Sequence, residues 1–210
     1  IMVSGQDRRS FLHGLLTNDV AALKAGQGCY AAYLTPQGRM ITDLWVYELG
    51  DVVLLAVGRD VKEPLLAKLD QLVFSEDVQF EDATEAYFSL AVLGPESGAV
   101  VADVLSNISL ESLALLPEHG SARGDLGGDL AIALRVTDAG EPGYEILVSQ
   151  SRSRTLAALL TERGVLEIDA TTAEALRIES GIPKFHRDMD EETIPLEAGI
   201  ESRAISFTKG

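Results

Sequence analysis

No stretch of this chain limits its fold more than Met40–Val57, MITDLWVYELGDVVLLAV. It is dense in β-branched and aromatic residues and is broken only by Gly50-Asp51. That pattern predicts two strands, 40–49 and 52–57, closed as a hairpin. A hairpin with an apolar face is not stable alone and needs a layer to cover it. The next segment supplies one: Leu65, Leu66, Leu69 and Leu72 fall on one side of a predicted helix over 60–72, with Pro64 in its first turn. Upstream, Phe11, Leu12, Leu15 and Leu16 recur at helical spacing over 7–16, and Cys29–Leu34 (CYAAYL) suits a strand, as does 1–4. Residues 73–82 alternate and read as a further strand. The first eighty-odd residues therefore predict an α+β layer, an antiparallel sheet with helices on one face.

A second unit begins near Glu85. Strands are predicted at 87–93, 130–136 and 144–148, with a turn at 138–143 between the last two. Helices are predicted from Gly94-Pro95 to about Leu105 and over 151–163, and a short strand at 165–168. Strand, helix, strand, strand, helix, strand is the ferredoxin-like order. Residues 106–128 carry no clear pattern.

The formal charge of −16 disfavours a general role in nucleic-acid binding, because such a surface repels phosphate backbones. A single cysteine, Cys29, rules out an internal disulfide framework and favours a reducing, cytoplasmic setting. No apolar run reaches the roughly 18 residues of a membrane span. His13, His119 and His186 show no ligand spacing, so no metal site is expected. The chain opens inside an apolar run and stops abruptly, as a piece of a longer protein would.

Chemistry is suggested in three places. Glu145 follows the turn 138–143 at the head of an apolar strand, where a carboxylate can accept two parallel N–H donors. The alternatives are a solvent-facing residue or a cross-strand ion pair with Arg135. Asp43 interrupts an otherwise apolar strand, opposite in facing to Thr42. The stretch 173–210 runs from a helix-compatible AEALRIE through Gly181 and Pro183 into a long acidic loop, then into β-prone Ala204–Thr208. Its apolar residues, among them Phe185 and Met189, favour an ordered wall over a linker.

Four segments in register, FLHGLLTNDVAAL (11–23), YLTPQGRMITDLWVY (33–47), GEPGYEILV (140–148) and LRIESGIPKFHRDMDEETIPLEAGIESRAISFTKG (176–210), resemble a folate-binding superfamily. That superfamily holds the glycine-cleavage aminomethyltransferase, or T-protein, and the YgfZ-like proteins of iron–sulfur cluster maintenance. The ISFTKG ending resembles the YgfZ branch. The resemblance implies a two-lobed fold, with 1–82 and 173–210 forming one lobe and 83–172 a ferredoxin-like second, and with the family's C-terminal barrel absent from this chain. It also implies a central cavity for tetrahydrofolate.

Residue by residue, the resemblance makes Glu145 the group that holds the pterin edge, with Tyr144 beside it. Tyr30, Thr42, Arg177 and Phe185 would line the cavity. Thr42 falls where T-protein has its essential aspartate, in an Asp-Asp-Leu run that here reads Thr42-Asp43-Leu44. Ala173 falls where T-protein has an arginine. These departures favour a YgfZ-like protein that binds folate and serves iron–sulfur client or assembly proteins. The alternative is a tetrahydrofolate-dependent aminomethyltransferase working with a lipoyl-carrier protein, for which Asp43 is the available catalytic carboxylate.

Overall fold

The computed structural model describes residues 1–137 and 139–209. Asp138, the first residue of the expected turn, and Gly210, the last of the ISFTKG ending, lie outside the described residues. The chain divides into two compact units: Ile1–Asp82 together with the chain from Pro183 onward, and Ala83–Ile182.

The first unit begins with β1 (Met2–Ser4), α1 (Arg8–Leu15), β2 (Gln27–Leu34), β3 (Met40–Glu48), β4 (Val53–Ala56), α2 (Arg59–Gln71) and β5 (Gln79–Glu81). Its five strands lie in the order β2-β3-β4-β1-β5, and every pair is antiparallel. Alternation along the strands gives the sheet two apolar faces. Ala31, Tyr33, Leu44, Val46 and Leu55 pack with Leu12 of α1 and Leu65 and Leu69 of α2. Truncating any of these leucines to alanine would cost about 2–5 kcal/mol. Pro64 lies deeper in α2 than the expected first turn, and has no N–H to give to the carbonyl four residues back. Only 79–81 of the expected strand 73–82 pairs; Phe74 and Ser75 instead donate their N–H groups to Glu76, which folds that segment into a turn.

The second unit runs β6 (Tyr87–Leu93), α3 (Ser97–Val104), α4 (Leu110–Ala114), β7 (Ser121–Leu126), β8 (Asp129–Val136), β9 (Gly143–Ser149), α5 (Ser153–Glu162) and α6 (Ala170–Glu179). Its sheet has the order β6-β9-β8-β7, again antiparallel throughout. Val101, Leu113, Leu156 and Leu160 from the helices meet Val92, Ala131, Ala133, Tyr144, Ile146 and Val148 on one face.

Two elements depart from the expected order. β7 forms where the sequence is patternless, because Gly124 in its middle lets Ile108 approach; a Cβ there would lie 2.7 Å from Ile108 Cδ1. The expected strand 165–168 does not form. Gly164 (φ +76°) ends the α5 segment, and Leu166 and Ile168 stay exposed without a ladder partner.

The boundary between units also moves. Residues 173–182, expected in the first lobe, belong to the second unit. Asp169 caps α6 by accepting the N–H of Thr172 at 2.8 Å, and Ser180 Oγ donates to the carbonyl of Ala139 at 2.8 Å. The first unit resumes at Pro183 and ends with α7 (Glu201–Ala204) and an extended tail. The expected strand over 204–208 is replaced by this helix and by docking of the tail. Ser206 N–H donates to the Thr17 carbonyl at 3.0 Å, and the Lys209 ammonium reaches the carbonyls of His13 and Leu16 near the end of α1. No helix among the described residues is long and apolar enough to cross a membrane.

Candidate functional site

The register of β2 against β3 decides which side chains the first unit presents. Tyr30 is opposite Trp45, Ala32 opposite Asp43 and Tyr33 opposite Thr42, but Leu34 is opposite Met40. Ile41 is therefore an extra residue, a bulge, and the alternation resets across it. Met40 thus shares a face with Tyr30 and Ala32, and Asp43 lies on that face too. Thr42 is turned to the other side, opposite Tyr33 and near the Lys68 of α2.

Asp43 is 8% exposed, and its Oδ2 accepts the hydroxyl of Tyr30 at 2.7 Å. Burial raises its pKa above the ordinary carboxylate value; the Tyr30 hydrogen bond and the fields of Lys184 and His186 oppose that rise. Around Tyr30, the Trp45 ring lies at 5.4 Å and the Arg203 guanidinium at 5.3 Å from the ring centre. The Trp45 indole N–H is buried with no hydrogen-bond partner among the described residues. Thr42 is fully buried, and its hydroxyl donates to the Asp43 carbonyl at 2.9 Å.

The segment that returns after Pro183 covers this face. Phe185, Met189, Ile200 and Ala204 pack with Tyr30, Ala32 and Met40. Between Phe185 and Met189 the backbone makes a tight turn, with His186 N–H bonded to the Met189 carbonyl at 2.7 Å. Further along, Met40 N–H donates to the Thr193 carbonyl at 2.9 Å, and Arg39 pairs with Glu192.

His186 adopts φ +62°, a left-handed conformation rare outside glycine and asparagine. Its Nδ1 lies 2.5 Å from Asp60 Oδ2 and its Nε2 3.0 Å from Glu191 Oε1. A carboxylate at each ring nitrogen favours the doubly protonated ring, which raises the His186 pKa through those two hydrogen bonds. These three residues form one rim of a cavity of about 410 Å³ whose lining includes Thr35, Met40, Thr42 and Lys68.

In the second unit, β9 splits the two residues that the sequence places side by side. Tyr144 points into the core, where its hydroxyl donates to the Leu113 carbonyl at 3.0 Å. Glu145 points to the opposite face, between Ala91 of β6 and Leu134 of β8. The residue is half-buried, and its side chain makes no hydrogen bond or ion pair with the described residues. Arg135 is not its partner: it lies opposite Tyr144 and its guanidinium goes to the Leu116 carbonyl. Arg177 is engaged within its own segment, bonding both Glu174 oxygens and the Ile182 carbonyl. Its fork is thus directed at protein groups. A cavity of about 540 Å³ in this unit is lined mainly by apolar groups, among them Leu93, Val100, Leu166 and Leu176.

Of the six residues expected to line a ligand cavity, the structure brings Tyr30 and Phe185 together with Asp43, turns Thr42 away, and places Tyr144 in a core. The clamp of Asp60, His186 and Glu191 was invisible in the sequence. The His186–Glu191 spacing is unremarkable in a loop, and Asp60 is 126 residues away. Trp45, two residues past Asp43 in the same strand, could have been found from the period-2 pattern. No group of His, Cys, Asp and Glu among the described residues is arranged to hold a metal ion.

The family model described as the GCVT N-terminal domain matches residues 1–209. An aminomethyltransferase of Rubrobacter xylanophilus is 31% identical over 196 residues, which are 93% of this chain and 52% of that protein. One of Stenotrophomonas maltophilia is 34% identical over 210 residues, 98% of this chain and 56% of its own. Among solved structures, the glycine cleavage system aminomethyltransferase T of Bartonella henselae superimposes with a TM-score of 0.78 at 24% identity, over 96% of this chain and 54% of that one. That likeness is one of fold. The chain spans about half the length of the curated relatives it matches.

Proposed function

The chain belongs to the GCVT N-terminal domain family, and on that premise we propose that it binds tetrahydrofolate and contributes the carboxylate chemistry of an aminomethyltransferase. The observation that carries this reading is the buried Tyr30–Asp43 pair. An aminomethyl transfer moves a one-carbon unit and frees ammonia, so a group must hold or give a proton as the amine leaves. Asp43 suits that role. Its desolvated carboxyl keeps a proton at higher pH than an exposed aspartate. Tyr30 engages Oδ2, which leaves Oδ1 as the atom that carries the proton. When ionised, the same group opposes positive charge developing nearby, in surroundings of low dielectric.

Tetrahydrofolate, when bound, supplies the nucleophilic nitrogens that accept the one-carbon unit. Glu145 fits its pterin edge. A half-buried carboxylate without a protein partner among the described residues, flanked by Ala91 and the buried Leu134, can accept two N–H donors side by side. Arg177 and Tyr144 do not take part in this reading, because their polar groups are already engaged.

The test is ammonia release from an aminomethyl-lipoyl donor by the intact natural protein, with tetrahydrofolate present. Asp43→Asn is expected to lower the rate at least about a hundredfold, the scale of a lost acid–base group. An unchanged rate would remove Asp43 from the chemistry.

A second reading, support of iron–sulfur enzymes, rests on the ISFTKG ending, whose Ser206 and Lys209 are anchored against residues 13–17. On that reading, cells lacking the protein lose iron–sulfur enzyme activity while glycine cleavage continues. Loss of glycine cleavage alone would exclude it.

A further inference from the structure

We propose that His186 is a positioning residue, a pH-operated clamp that holds the loop from Pro183 to Thr193, and with it Phe185 and Met189, over the Tyr30–Asp43 pair. The inference rests on the folate reading above only where it speaks of ligand affinity; the clamp itself stands on geometry. The loop is fastened at two ends. At Glu192 and Thr193 the fastenings are the ion pair with Arg39 and a backbone hydrogen bond from Met40, neither of which changes protonation between pH 6 and pH 9. At His186 it is a single imidazolium between Asp60 of α2 and Glu191 of the loop itself.

Phe185 and Met189 flank this histidine and are both buried against Tyr30, and the His186 ring, on a left-handed backbone, lies against the Phe185 ring with centres 4.3 Å apart. Such a conformation is unfavourable for a residue other than glycine, and it persists only where surrounding contacts enforce it. The contacts that hold it here are the His186 N–H bond to the Met189 carbonyl, the Phe185 ring and the two carboxylates, and of these only the carboxylate contacts depend on the ring's charge. Remove the ring charge and one nitrogen loses its proton, so one of the two bonds is lost and a bare acceptor faces a carboxylate.

The charged groups around the ring are Asp60 from α2 and Glu191 from the loop, which bond it, with Lys68 of α2 lining the same cavity and Asp43 of β3, which also feels Lys184, within reach of its field. The nearest are the two carboxylates, so the protonated ring is favoured and its pKa lies above the ordinary 6.5. A raised histidine pKa stabilises the closed loop fully below about pH 6.5, and that contribution is lost as pH rises through the raised value. Opening also takes the imidazolium away from Asp43, whose carboxylate it helps to keep ionised.

Hydrogen exchange of the loop amides, corrected for the intrinsic pH dependence, tests the clamp in the free chain. Protection over 184–193 is expected to fall about tenfold or more between pH 6 and pH 9. In His186→Asn, which tolerates the left-handed backbone but carries no charge, protection is expected to be low at both pH values. Asp60→Asn, a surface change outside the buried cluster, should shift the transition to lower pH and guards against a misfolded His186 variant. Protection in the parent that is the same at both pH values, or that survives His186→Asn, would overturn the clamp. Tetrahydrofolate titrations at the same pH values separate the two ideas. Affinity that falls with loop protection supports the link. Affinity that stays level while the loop opens overturns the positioning role. Loop protection that changes with pH in a chain that never binds tetrahydrofolate upholds the clamp and overturns the folate reading.

Discussion

The hydroxyl of Tyr30 lies 2.7 Å from the Asp43 carboxylate although the two residues are not opposite each other in the sheet. Tyr30 faces Trp45, and reaches back one position on the same face to the residue paired with Ala32. Diagonal contacts of this kind are within range only of long or aromatic side chains. The bulge at Ile41 keeps Met40 on the same face as Asp43. The result is a titratable group with Tyr30 as its side-chain donor among the described residues, held in an apolar layer with Phe185 and Met189.

Replacing Asp43 by asparagine should make the fold less sensitive to pH. Burial raises the folded pKa of Asp43 above the ordinary 3.8. The folded state therefore holds the proton longer than the unfolded state does. Stability from this group is present at low pH and is lost as pH rises from about 4 through the raised value. Asp43→Asn should match the parent near pH 3.5 and become progressively more stable than it as pH rises through the raised pKa. Urea denaturation across that pH range measures the gap; a gap that narrows with rising pH would contradict it.

Tyr30→Phe removes the one side-chain donor to Asp43 while keeping the ring that Trp45 and Arg203 pack against. The parent background should lose about 1–3 kcal/mol at neutral pH, since a buried charged acceptor is left unpaired. In an Asp43→Asn background the loss should shrink to about 1 kcal/mol. The difference between the two backgrounds is the coupling energy of the pair. Equal losses in both backgrounds would mean that the hydroxyl does not serve the carboxylate.

Tyr144→Phe separates the two faces of β9. Its hydroxyl satisfies the Leu113 carbonyl inside the core of the second unit, so stability should fall by about 1 kcal/mol. Affinity for tetrahydrofolate should stay within twofold of the parent, because the ring faces away from Glu145. A tenfold loss of affinity without loss of stability would return Tyr144 to the ligand site.

Much of this was legible from sequence where one period repeats. The hairpin 40–57, the helix from 59 to 71 and the strand pair 129–149 carry sustained patterns, and each formed within a few residues of its expected bounds. The short segments failed. Val165–Ile168 is only four residues long, too few to outweigh the lack of a ladder partner, and Ala204–Thr208 was claimed by tail contacts with residues 13–17. The site was legible in its residue types but not in its facing. Thr42 and Asp43 are neighbours in sequence, and only the register with β2 shows that the aspartate joins Tyr30. Likewise Tyr144 and Glu145 form one motif yet serve opposite faces. The His186 clamp depends on Asp60, and a contact across 126 positions leaves no local trace.

Tetrahydrofolate binding to the chain and to its Glu145→Gln variant, measured by equilibrium titration at neutral pH, bears most directly on the account. The substitution keeps the size of the side chain but removes the charge and one of its two acceptor oxygens. Tight binding to the parent is expected, with an affinity at least about tenfold lower for the variant and a thermal midpoint unchanged or slightly higher. Equal affinities for parent and variant, or no binding to either, would contradict it.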